Sequence, residues 1–144
     1  MAGVYINQAY LEKSLVSPTD LVGLTQEDVG VDTVDTDVLN EVILEAEAEV
    51  DGYLGARYSL PLATVPSLVK SLAGRICRFK LYDRRGRAGE EQQKDYDRAL
   101  KLLKDLSSGT VTLGKQPEPS ENPERLVRSS GGDRQFSRKQ TRAF

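Results

Sequence analysis

Apolar residues recur at helical spacing in three long blocks of this chain. From Thr36, the residues Leu39, Val42, Ile43, Ala46, Val50, Tyr53 and Leu54 follow one another mostly by three or four positions, which lays a core-facing stripe along a helix of about five turns. Asp37 stands in its first turn, where the helix dipole favours a negative charge. Glu41, Glu45, Glu47, Glu49 and Asp51 fall outside the stripe and predict a solvated acidic face. Pro66 opens a second block that runs to about Asp83, with Leu68, Leu72, Ile76 and Phe79 on one stripe and Val69, Ala73 and Cys77 beside it. The third block, Glu90 to Ser107, carries Tyr96, Ala99, Leu100, Leu103 and Leu106. Gly109 follows it in the place of a left-handed helix end.

Shorter elements precede these blocks. Asn7 caps a helix from Gln8 to about Val16 that brings Tyr10, Leu11 and Leu15 together, and Ser17 with Pro18 opens a turn or two through Leu21, Val22 and Leu24. The acidic stretch Thr25 to Asp35 has no useful period and reads as a surface loop. Between the first two long helices lies YLGARYSLPL, residues 53–62. Its glycine and proline turn the chain between about Tyr58 and Pro61. Tyr53, Leu54, Arg57, Tyr58, Leu60, Pro61 and Leu62, with Val65, are too apolar for a free loop and predict a plug at the end of the bundle. Arg57 is placed to bond the last helical carbonyls while its stem covers Leu54 or Leu60. Thr110 to Gly114 alternates like a single short strand, which needs an edge to pair with. From Lys115 onward the chain is rich in proline and polar residues, with too few apolar ones for a core of its own. The pattern predicts an all-α fold: a small antiparallel bundle of about four helices, a short C-terminal strand, and an extended arm, with the boundary between 1–114 and 115–144.

Charge adds a second pattern. Residues 1–56 hold twelve acids against one base, a net of -11, whereas 57–105 carry +6 and 106–144 carry +3. Such a division predicts two unlike surfaces on one molecule. The run Arg75, Arg78, Lys80, Arg84, Arg85 and Arg87 reads either as a solvated face or as a surface that meets the acids of an adjacent copy.

Other chemistry is narrowed by what is missing. The chain has no histidine and one cysteine, which excludes Ser-His-Asp and Cys-His nucleophiles and most zinc arrangements, and leaves Cys77 as a small buried hydrophobe. No glycine-rich phosphate loop is present, and Ser107-Ser108-Gly109 reads as a helix end. Asp32, Asp35 and Asp37 lack the spacing of a calcium loop and read as a solvated acidic surface. Neither a signal peptide nor a membrane span is evident, so synthesis in the cytoplasm is expected. No cofactor and no catalytic activity are expected.

The order of these features is similar to one family. YLGARYSLPL, then VPSLVKSLAGRICRFKLYDRR, then a helix holding DYDRALKLLKDLSSGTVTLG resembles the Mu-type prophage head-tail connector family of tailed phages, over about Tyr5 to Gly114. The ending FSRKQTRAF is similar to the aromatic and basic finish usual in that family. The resemblance implies a structural adaptor, present in the virion at the head-tail interface after assembly in the host cytoplasm. It would form a ring, usually of twelve copies, beneath the portal protein, extend the DNA channel and dock the tail or a stopper. DNA would pass through without sequence recognition, and no membrane is involved. On this view Arg84, Arg85 and Arg87 serve contacts between subunits, and Glu41, Glu45 and Glu49 face the channel. Phe136, Arg138, Lys139, Arg142 and Phe144 anchor the arm to the portal or to a neighbouring subunit. A tail completion or terminator protein and a small DNA-binding regulator are the alternatives.

Overall fold

The computed structural model describes residues 3–114; the arm and its boundary at 115 lie outside the described residues. Five helices form: α1 (Gln8–Ser14), α2 (Pro18–Thr25), α3 (Thr36–Leu54), α4 (Ser67–Arg84) and α5 (Glu90–Ser108). Each start is set locally. The side chains of Asn7, Ser17 and Asp35 accept backbone N–H bonds from the first turns of α1, α2 and α3, satisfying donors the helix itself leaves open. At α5 the Gln92 side chain accepts the Gly89 N–H at 3.0 Å.

Helices α3, α4 and α5 make the bundle. Lys80 of α4 pairs with Glu49 of α3, while Arg84 lies beside Glu41 and Glu45, so α4 runs antiparallel to α3. Tyr96 of α5 bonds Glu49, and Arg57 sits at Gly109, so α5 runs parallel to α3. Both α1 and α2 lie against α4, and α2 also touches α3. The central core contains Leu39, Ile43, Val50, Leu72, Ile76 and Leu103, all at most 2% exposed. Gly74 admits α1: a Cβ there would stand 2.5 Å from Leu15 and 3.0 Å from Tyr10, so a larger residue would force both side chains to shift.

The all-α bundle is as the pattern predicts, with four differences in detail. The turn after Ser17 is a full eight-residue helix, extended by Thr25, whose buried hydroxyl donates to the Leu21 carbonyl and accepts the Asp35 N–H. The strand expected at Thr110 to Gly114 does not form, because among the described residues no strand edge exists for it. Val111 N–H instead bonds the Asp105 carbonyl at 3.2 Å, and Leu113 N–H donates to the Tyr58 hydroxyl at 3.2 Å. Leu60, expected to plug the bundle, is 36% exposed, next to a cis Leu60–Pro61 peptide with Pro61 also exposed. Leu54 and Tyr58 are buried, whereas Tyr53, Leu62 and Val65 pack on the core only partly buried. Glu47, assigned to the solvated face, is 5% exposed, because its carboxylate accepts backbone N–H groups of the N-terminal segment.

Gly109 ends α5 with φ +85°, as its position predicts. The Arg57 guanidinium fills the space where a Cβ would project, so Arg57 stands over the end of α5, and among the described residues it bonds no carbonyl of its own helix. Gly109→Ala is expected to cost about 1–2 kcal/mol from the left-handed backbone alone, read as a lower urea midpoint at unchanged slope.

Candidate functional site

The most unusual side chain in the bundle is Glu47. It lies on the same helical line as Ile43, Val50 and Leu54, and its carboxylate receives the N-terminal segment edge on. Oε1 accepts the N–H groups of Tyr5 at 2.6 Å and Ile6 at 3.0 Å, and Oε2 accepts Val4 N–H at 2.8 Å. The Tyr5 hydroxyl donates to Asp51 one turn further along. Burial first, and then the Asp51 carboxylate, raise the Tyr5 hydroxyl far above the ordinary phenol range. Gly3 closes the seam, since a Cβ there would collide with the Glu47 carboxylate and stand 2.6 Å from Ile43. Residues 3–6 are thereby clamped onto α3. Sequence reasoning missed this site, although an acid at the core spacing 43, 47, 50, 54 was its visible sign.

A second network joins all three long helices. Glu49 accepts the Tyr96 hydroxyl at 2.8 Å and pairs with Lys80 at 3.2 Å, while the Tyr96 ring stacks on Phe79 with centroids 4.3 Å apart. Burial, then the Glu49 hydrogen bond and charge, push the Tyr96 hydroxyl up to about 12. Arg78 reaches Glu91 and Asp95 of α5, each at 3.5 Å. Glu49 is thus turned into the bundle. Glu41 and Glu45, grouped with it in the sequence reading, are exposed and in no ion pair among the described residues.

The basic cluster also divides. Arg84 pairs with Glu27 at 3.2 Å, and Arg85 bonds the carbonyls of Leu24 and Gln26 at the end of α2, where a cation complements the helix dipole. Of the three arginines expected between subunits, only Arg87 is left exposed without a bond among the described residues. A cleft of about 340 Å³ opens between α3 and α4, lined by Glu41, Val42, Glu45, Lys80, Asp83 and Arg84.

Much of what remains free is sorted along the bundle axis, with Arg87, beside Gly23 at the acidic end, as an exception. At one end stand Asp28, Asp32 and Asp37, with Glu41 and Glu45 on the adjoining outer face of α3; at the other stand Arg57, Lys70, Lys101 and Lys104, with Asp105 beside them. Among the described residues none of these five acids or four bases takes part in an ion pair. The antiparallel turn of α4 produces this arrangement by carrying Arg84 and Arg85 back to the acidic end, where they are consumed. Phe136, Arg138, Lys139, Arg142 and Phe144 lie outside the described residues.

Among the described residues no group of three or more histidine, cysteine or carboxylate side chains is placed to hold a metal ion, and no helix is long and apolar enough to cross a membrane. The molecule is a small all-α bundle with mostly acidic free charge at one end and mostly basic free charge at the other. The chain belongs to the Bacteriophage Mu Gp36 family, whose model matches residues 5–129; it is a Mu-type phage protein. It is 33% identical over 82 residues to the Mu-like prophage FluMu protein gp36 of Haemophilus influenzae, a match covering 57% of this chain and 57% of that relative's length. It is also 32% identical over 108 residues to Gene product J of Escherichia phage Mu, covering 74% of this chain and 75% of the relative.

Proposed function

We propose that this phage protein is a head-tail connector, an adaptor that forms a ring below the portal, extends the DNA channel and docks the tail or its stopper. The observation that carries the reading is the axial separation of unpaired charge. A subunit with one acidic and one basic surface can contact its copies head to tail, and such heterologous contacts close into rings when the rotation permits. Membership in a phage Mu family supplies the context. Glu41 and Glu45 are the acids available to line a channel, where like charge lets DNA slide without sticking. Glu49 is withdrawn from that role by its bonds to Lys80 and Tyr96. The arm beyond residue 115 engages the portal or the neighbouring subunit, and no cofactor or catalysis is involved.

The test is to mix the purified chain with the portal protein of its own phage and follow mass and shape by light scattering and electron microscopy. A ring of defined copy number on the portal is expected, lost when Lys101 and Lys104 are both replaced by glutamate. Binding to the end of the tail tube with no affinity for the portal would transfer the assignment to tail completion. Monomer binding to duplex DNA at physiological salt would favour a regulator instead.

A further inference from the structure

The outer face of α3 is unpartnered among the described residues and has an apolar centre. Leu44 is 51% exposed there, followed one and two turns on by exposed Ala48 and Gly52, with Asp37, Glu41 and Glu45 along its margin. The preceding loop adds Val29, fully exposed at 104%, and Val31 at 38%. Three of the five large apolar side chains that the described residues expose therefore sit among free carboxylates. A complement to such a surface must be basic and apolar together.

The end of the chain has that composition, with aromatic side chains as well. Residues 134–144 hold Arg134, Arg138, Lys139 and Arg142, no acid, and the aromatic residues Phe136 and Phe144; they lie beyond the region matched by the family, which ends at 129. The geometry of connection also fits. Leu113 is bonded to Tyr58, just past the end of α3, and Glu45 is 13 residues back along the chain, about 20 Å at helical rise. The 19 residues from 115 to 133 can reach at most about 63–68 Å, enough to cover that distance. A tether long enough to bridge the two positions makes docking intramolecular, with an effective concentration of order millimolar, so a subunit's own segment outcompetes that of another copy in dilute solution.

We infer that in the unassembled subunit residues 134–144 dock on the outer face of their own α3, with phenylalanine against Leu44 and the bases against Asp37, Glu41 and Glu45. The docked segment shields the acidic surface until a partner displaces it. This inference concerns the free subunit and does not depend on the connector reading.

The experiment uses the full chain with a nitroxide on Ala143→Cys; Cys77 is fully buried and stays unlabelled. Amide signals of Glu41, Leu44 and Glu45 are expected to be lost through proximity to the label, and to return in about 1 M salt, where the screening length is about 3 Å. They should also return in the E41K/E45K variant, whose two positions are exposed; if that variant misfolds, the salt arm decides. In an equal mixture of isotope-labelled chain without nitroxide and nitroxide-bearing chain without isotope, the signals should persist. Intact α3 signals in the spin-labelled full chain would overturn the inference. Signal loss in the mixture, or loss that survives both charge reversal and salt, would overturn it equally.

Discussion

Glu47→Ala is expected to remove about 3–5 kcal/mol of stability, because each buried N–H left without an acceptor costs about 1–3 kcal/mol and three depend on this carboxylate. Water reaching the part-buried Val4 end holds the total below the sum. A domain of this size has only about 5–15 kcal/mol in all, so the loss is a large fraction of it. Glu47→Gln should cost less: its oxygen can still serve Tyr5 and Ile6, but its amide presents a donor to the Val4 donor. Urea titration gives the magnitude. Hydrogen exchange identifies the cause, since the amides of Tyr5 and Ile6 should lose protection first while those of α4 and α5 follow the global change. Equal loss of protection everywhere would mean that Glu47 is a general core residue and not a clamp on residues 3–6.

The second large effect is alkaline unfolding. Burial, reinforced by the Glu47 charge and opposed by Lys80, pushes the Cys77 thiol up from 9.0 to about 12. For an acid whose folded pKa is raised, the unfolded chain releases its proton first, so stability is intact below the unfolded pKa and falls as pH rises toward the folded one. Cys77, wholly buried, should therefore withdraw about 4 kcal/mol between pH 9 and 12, at roughly 1.4 kcal/mol per pH unit. Tyr96 and Tyr5, both raised from 10.0, add to the fall from about pH 10 upward. Urea midpoints measured across this range should decline from pH 9. In Cys77→Ala, less stable at neutral pH, the decline should begin only near the phenol range. An unchanged onset in that variant would assign the alkaline loss to the tyrosines.

Much of the fold was legible because its determinants are local. Asn7, Ser17 with Pro18, and Gly109 act within a turn of where they stand, and each ends or opens the helix that its chemistry predicts. The surface was less legible. Periodicity divides α3 into inner and outer faces, but it cannot say what stands opposite each residue. Glu47 and Glu49 share the charge of Glu41 and Glu45. Only the first meets three backbone donors, and only the second meets Lys80 and Tyr96.

Sequence alone determined the helical blocks, the buried stripes and the uneven distribution of charge, since these follow from side-chain spacing and from capping groups that act on adjacent backbone. Tertiary structure decided which charges remain free. The antiparallel return of α4 brings Arg84 and Arg85 to Glu27 and to the end of α2, so a division written along the chain becomes a separation between the two ends of the bundle. It also decided that Thr110–Gly114 is no strand, because a strand requires a partner edge that the described residues do not provide, whereas Leu113 finds its acceptor in Tyr58.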